Sequence, residues 1–204
     1  MVLGIAGPMA AGKNLAAEIL VQRGWAAVDA DLLVHEVIEE KKAEIASAFS
    51  AEAGRLGLSL ITAAGTVDRR AIGQIIFGHP DLVARQESIV YPGVNARIDA
   101  FLEENRRAGR DCLINATLLY KVPSIKELDL LLFIDAPCFV RLVRAKKRDG
   151  LSYSQILSRF RSQKNLFSQY RKSGADIKRV WNIGSRVRLE RKLEAFLSSC
   201  RLRG

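Results

Sequence analysis

Between Gly7 and Asn14 the chain reads Gly-Pro-Met-Ala-Ala-Gly-Lys-Asn, and no other stretch restricts its fold as severely. An apolar run, Val2-Leu3-Gly4-Ile5-Ala6, precedes it, and Leu15-Ala16-Ala17-Glu18-Ile19-Leu20 follows with helical apolar spacing. The order is therefore strand, loop, helix. Gly7, four residues, then Gly12-Lys13 let a backbone arch turn its N–H groups inward around phosphate oxygens, while the helix N-terminus adds its dipole and Lys13 a full charge. This P-loop pattern implies a nucleoside triphosphate, contacted by Gly7, Ala10, Ala11, Gly12, Lys13, Asn14 and Leu15. A glycine-containing turn after a buried strand is the plain alternative, and the strand-to-helix context weighs against it. The position after the lysine normally carries a Ser or Thr hydroxyl for magnesium. Here it is Asn14, whose amide oxygen ligates a hard cation more weakly.

A chain of 204 residues is long enough for one full core with an insertion or for two small domains sharing a hinge, and one globular unit is expected. No apolar run approaches the roughly 20 residues that span a bilayer. The N-terminus lacks a basic segment and is interrupted by Gly7, Gly12 and Lys13, so it reads as mature and cytosolic rather than as a signal peptide. Cys112, Cys138 and Cys200 are scattered and form no CxxC pair, which suits a reducing compartment and argues against zinc. The net charge of +10 is uneven: residues 1–140 hold 14 Lys+Arg against 18 Asp+Glu, and residues 141–204 hold 18 against 4. A basic third of this kind serves either nucleic acid or a multiply anionic small substrate, and charge alone leaves both open.

Beyond the first helix, Gly24 marks a stop and Trp25-Ala26-Ala27-Val28 predicts a second strand ending in Asp29-Ala30-Asp31. Carboxylates at the carboxyl end of a strand beside a P-loop face the ligand crevice of an open parallel sheet. Asp31 is a candidate base for a substrate hydroxyl, and Asp29 a candidate for metal contact through water, with Asn14 as the direct metal ligand. Asp31 as a plain N-cap of a helix starting at Leu32 explains the spacing equally well. Residues 32–110 show helical spacing and no clear strand, with a new helix beginning at Val67-Asp68-Arg69-Arg70 and ending near Phe77-Gly78-His79-Pro80. Neither His35 nor His79 receives a catalytic role. Cys112-Leu113-Ile114 predicts a buried strand whose next residue, Asn115, stands where P-loop proteins often carry an acid. Leu130 to Asp135 predicts another strand, and Ala136-Pro137 turns into a helix bearing Arg141, Arg144, Lys147 and Arg148. A basic helix with Arg159, Arg161 and Lys164 follows, suited to a lid over triphosphate oxygens, or to a plain solvated face. Ile177 to Asn182 reads as the last strand and Val187 to Leu197 as an amphipathic helix.

Taken in order, these motifs resemble the dephospho-CoA kinase family across nearly the whole chain. The resemblance rests on Gly7 to Lys13, Val28 to Asp31, Gly65-Thr66-Val67-Asp68-Arg69 with Phe77, Phe133 to Pro137, Arg144 with Lys147-Arg148-Asp149-Gly150-Leu151-Ser152, Arg159, Gln163, Ala175-Asp176, Asn182, Gly184 and Ser185. It implies ATP-dependent phosphorylation of the 3′-hydroxyl of dephospho-CoA, the last step of coenzyme A synthesis. By position it implies Asp31 as the base, Lys13 on the γ-phosphate, Arg144 over the ATP phosphates, Arg148 and Arg159 as lid contacts, and Asn182 near the adenine. The chain departs from the family pattern at Pro8 and Ala10, where glycines are usual, at Tyr91-Pro92 in place of His-Pro, at Asn95 in place of Arg, and in the stretch Asn115 to Lys121.

The fold expected is α/β, a three-layer P-loop NTPase core with a parallel sheet, a helical substrate-binding insertion and a basic helical lid. Residues 1–31, 111–147 and 174–204 form the nucleotide-binding core, 32–110 the helical domain for the coenzyme A precursor, and 148–173 the lid. ATP and Mg2+ are the expected cofactors and dephospho-CoA the partner, with no nucleic acid or membrane, in a monomer or weak homo-oligomer. Two other readings stand beside an active kinase: a weakened relative that binds nucleotide or coenzyme A, and a kinase for a different small acceptor.

Overall fold

Strand β1 (Val2–Ala6) lies at the centre of a five-stranded sheet, in a computed structural model that describes residues 1–201. The strand order is β2-β3-β1-β4-β5, where β2 is Ala26–Asp29, β3 Cys112–Asn115, β4 Leu130–Asp135 and β5 Ile177–Trp181. All pairings are parallel: Leu3 stands opposite Leu113 on one side and Leu130 on the other. A central parallel strand is covered on both faces, which is why β3 and β4 read as unbroken buried runs rather than alternating ones.

One face of the sheet presents Leu3, Ile5, Leu113, Leu132 and Ile134 to helices α1 (Lys13–Val21) and α10 (Arg186–Arg201), which contribute Ala16, Ile19, Leu20, Leu189, Leu193 and Phe196 to the same core. The opposite face is more crowded. A Cβ on Gly4 would lie 2.6–2.9 Å from the terminal carbons of Leu119, Leu128 and Leu131, so a side chain at that point of β1 would have to displace three packed leucines. Tyr170, on α9 (Leu166–Lys172), is fully buried there, edge-on to Phe133 and to Tyr120. Its hydroxyl accepts from the Leu119 N–H (2.7 Å) and donates to the Thr117 carbonyl (2.9 Å). That hydroxyl ties down the irregular chain after β3, where two short 3-10 turns replace regular structure. Tyr170→Phe removes the hydroxyl's bonds to both backbone groups and is expected to cost about 1–3 kcal/mol, a fall of about 2–9 °C in Tm for a chain of this size, measurable by thermal denaturation.

The chain divides into two compact units, Met1–Asp29 with the chain from Asp99 onward, and Ala30–Ile98. The second unit holds α2 (Ala30–Glu40), α3 (Lys42–Ala48), α4 (Ser50–Leu56), α5 (Arg69–Ile76) and most of α6 (Pro80–Arg107). Its core is built from Val37, Ile38, Ile45, Phe49, Ile72 and Ile75. Arg97 on α6 pairs with Glu36 and Glu40 on α2, and Arg85 pairs with Glu52 while its guanidinium lies over the Phe49 ring. Apart from one bridge between Ile61 and Val67, no extended pairing occurs there among the described residues.

Several boundaries differ from the sequence expectation for identifiable reasons. Asp68 is the N-cap of α5, its carboxylate accepting from the Arg70 and Ala71 N–H groups, so the helix starts at Arg69. Trp25 precedes β2, its N–H bonded to the Leu20 carbonyl in the turn that closes α1. Strand β5 ends at Trp181, one residue short of the expected Asn182, whose N–H still bonds to the Asp135 carbonyl of β4. Helix α2 starts at Ala30, directly after β2, which puts Asp31 inside the first turn and removes the N-cap explanation of that carboxylate.

Candidate active site

The chain leaves the carboxyl end of β1 as residues 7–12 and enters α1 at Lys13. The loop turns on itself through a bond from the Ala11 N–H to the Pro8 carbonyl (3.0 Å) and is braced from outside at several points. The Met9 N–H donates to Gln163 Oε1 (2.8 Å), and Asn182 Nδ2 donates to the Ala11 carbonyl (2.8 Å). Asn182 is itself buried and fixed by a 2.7 Å bond from its N–H to the Asp135 carbonyl. Gly7 passes so close to β4 that an added Cβ would meet the Ile134 carbonyl oxygen at 2.2 Å. The Gln163 and Asn182 braces leave no local mark in the sequence, where the glycine spacing is the one signal of how tightly the loop is enclosed.

Ala10 has φ +61°, the only non-glycine residue with positive φ among the described residues. The left-handed region strains an L-residue by about 1–2 kcal/mol, partly offset by the lower chain entropy of alanine when unfolded. Ala10→Gly is therefore expected to stabilise the protein by about 0.5–1 kcal/mol, read as a small rise in Tm without loss of nucleotide affinity.

Arg144, on α7 (Cys138–Asp149), brings Nη1 to 3.5 Å from the Ala11 carbonyl and Nη2 to 3.5 Å from the Gly184 carbonyl, at the outer limit of hydrogen bonding. It lies against the loop and the segment after β5. Helix α8 (Tyr153–Ser162) is N-capped by Ser152 in a reciprocal capping box with Gln155 and packs Ile156 and Phe160 on Ala145, with Met9 and Ala10 against the same cluster. The basic segment is thus anchored to the phosphate loop itself. Arg148 is exposed and forms a forked pair with Asp149 (2.6 and 2.9 Å). Hydrogen bonding to Arg148 holds the Asp149 carboxyl below its ordinary range, and the same contact raises the Arg148 guanidinium. Arg159 is exposed on α8.

At the carboxyl ends of β2 and β3, Asn115 is 4% exposed and Nδ2 donates to Asp29 Oδ2 (2.7 Å) and to Asn14 Oδ1 (3.3 Å). The two residues read as metal-side candidates are thereby joined by the one that stands in the acidic position. On the far side of the loop, Asp135 is buried and accepts from its own neighbour's N–H and from Arg179, whose guanidinium lies between the Phe167 and Trp181 rings. Among the described residues no group of three or more His, Cys, Asp or Glu side chains is placed to hold a metal, and no helix is long and apolar enough to cross a membrane.

A braced, lysine-ending phosphate loop at the carboxyl edge of a parallel sheet, with arginine-bearing helices packed against it, defines the class: a P-loop phosphotransferase. The dephospho-CoA kinase family model matches residues 1–180, and the chain belongs to that family of kinases, which act at the final step of coenzyme A synthesis. It is 38% identical over 198 residues to the dephospho-CoA kinase of Treponema denticola, covering 95% of this chain and 87% of that one. The dephospho-CoA kinase of Treponema pallidum is 30% identical over 197 residues, covering 96% and 93%. Among solved structures, the protein TT1252 of Thermus thermophilus superposes with a TM-score of 0.77 at 28% identity, covering 98% of this chain and 97% of that one. Dephospho-CoA kinase from Campylobacter jejuni shares the fold with a TM-score of 0.62 at 21% identity, covering 97% and 96%.

Proposed function

We propose that this chain transfers the γ-phosphoryl group of ATP to the 3′-hydroxyl of dephospho-CoA, with the roles divided as follows. The backbone of Gly7 to Lys13 cradles the triphosphate, with Asn14 and Leu15 completing the contact at the start of α1. Lys13 takes the γ-phosphate and Arg144 the charge that develops during transfer. Asp31 accepts the hydroxyl proton of the acceptor, and Arg148 and Arg159 close over the phosphates once nucleotide offers Arg148 a better partner than Asp149. Asn182 works near the adenine end, through the loop it braces. The observation that carries this reading is the braced loop ending in Lys13 at the first position of α1.

The donors at the metal corner are oxygen only, one carboxylate on Asp29 and one amide on Asn14. That set fits Mg2+, which keeps most of its positions for water and phosphate. Asn14 and, through water, Asp29 would hold the ion, which would supply positive charge to offset that of the triphosphate. Asn115 is not among its ligands, because the face it turns to both residues is an N–H donor.

The reaction belongs to the cytoplasm, in a monomer or weak homo-oligomer without nucleic-acid or membrane partners. The test is ADP release with ATP and Mg2+ against a panel of acceptors: dephospho-CoA, nucleosides, nucleoside monophosphates and none. Turnover confined to dephospho-CoA is the expected result; turnover with a nucleoside alone, or with no acceptor, would replace this assignment. A binder without turnover is the second reading, motivated by the amides at 14 and 115, and the same panel separates it.

A further inference from the structure

Asn14 and Asn115 look like two separate losses on the metal side of the site, yet they touch. Asn115 has one NH2 group with two hydrogens, and each has a single oxygen opposite it: Asp29 Oδ2 at 2.7 Å and Asn14 Oδ1 at 3.3 Å. Its own Oδ1 is buried without a hydrogen-bond partner. Turning the amide over would satisfy nothing better, since Oδ1 would then face a carboxylate and an amide oxygen, acceptor against acceptors. The orientation is therefore fixed by its two acceptors, and the unpartnered oxygen is what that arrangement costs.

In the usual P-loop pattern a hydroxyl at position 14 and an acid at position 115 both serve a divalent cation, and the cation holds the oxygens together. Here a neutral amide does the holding. We propose that Asn14 and Asn115 are a matched pair, in which Asn115 is a positioning residue whose NH2 group fixes Asp29 and Asn14 in the place of a cation. As a result the nucleotide-free protein has no divalent-ion site of its own and takes up magnesium only together with nucleotide. This deepens the Mg2+ assignment above and rests on it. The test uses neither nucleotide nor acceptor, so its failure leaves the phosphotransfer reading intact.

The experiment compares thermal melting of the wild type and Asn115→Asp in magnesium chloride and in sodium chloride of matched ionic strength. In the variant a carboxylate faces Asp29 at the former hydrogen-bond distance, and a bridging cation relieves the repulsion. Magnesium is expected to raise the Tm of Asn115→Asp by about 5–8 °C at roughly 100-fold excess over its dissociation constant, and to leave the wild type unmoved. Asn14→Ser combined with Asn115→Asp restores the usual pair, and is expected to show a magnesium shift at least as large. An equal shift in the wild type, or none in Asn115→Asp, overturns the proposal. If Asn115→Asp does not fold, Mn2+ titrated into the wild type and followed by the ion's paramagnetic resonance decides instead. Absence of saturable binding below about 1 mM supports the matched pair; tighter saturable binding overturns it.

Discussion

Asp31→Asn is expected to lower kcat for phosphorylation of dephospho-CoA by about 10²–10³-fold while leaving the affinity for ATP within about threefold. Asparagine keeps the size and hydrogen-bonding reach of the aspartate but accepts no proton, so the variant removes one function and little else. The loss is set toward the lower part of the range for general bases because phosphoryl transfer is loose: the hydroxyl proton departs late, and most of the catalysis is positioning and charge stabilisation. Helix α2 starts at Ala30, which places Asp31 inside its first turn, where the helix dipole favours a carboxylate and would tolerate an amide. A folding defect is thus not the expected consequence, and unchanged Tm is the control. An unchanged kcat would move the base elsewhere, Asp29 being the neighbouring carboxylate to examine. A loss of ATP affinity equal to the loss of rate would make Asp31 a residue of the nucleotide site rather than of the acceptor.

The sheet was legible because parallel strands buried on both faces leave continuous apolar runs, as in Leu130 to Asp135, and because a glycine-lysine loop between strand and helix has few other uses. Helices were legible by period and by cap residues, with ends displaced as in Leu32 for Ala30 and Val67 for Arg69, but the spacing did not single out the long helix Pro80–Arg107, which carries Pro92 inside it, or the short helix Leu166–Lys172. What the sequence could not disclose are contacts between residues far apart in the chain, where a polar side chain meets a backbone group. Gln163 on the Met9 N–H, Asn182 on the Ala11 carbonyl and Tyr170 across Leu119 and Thr117 carry no periodic signature; each depends on a distance of approach that only the folded chain defines. Asn115 illustrates the point most clearly. Read as a letter it was a missing acid, and read in place it is a donor to both remaining metal-side oxygens.

Those long-range braces lead to the second large effect, Gly12→Ala. Gly12 sits at φ +102°, in the region that L side chains avoid, and an added Cβ would lie 2.1 Å from Asn182 Nδ2. Asn182 has nowhere to yield: it is buried, its N–H is bonded to Asp135, and the threatened amide is the group that holds the Ala11 carbonyl. Backbone strain, a buried clash and a broken brace together are expected to cost about 3–5 kcal/mol, a fall of about 6–15 °C in Tm. ATP affinity is expected to fall by about tenfold or more, since loss of one bond to a charged phosphate already amounts to about 1.5–3 kcal/mol. Substituting Asn182→Ala in the same chain removes the clash but also the brace, so the double variant should recover part of the stability and little of the affinity. That split is the diagnostic outcome: stability answers to the collision, whereas nucleotide binding answers to the shape of the arch. Gly12→Ala that melts normally and binds ATP as tightly as the wild type would mean that residues 7–12 adapt freely, and that bracing from outside is not what makes this loop a phosphate cradle.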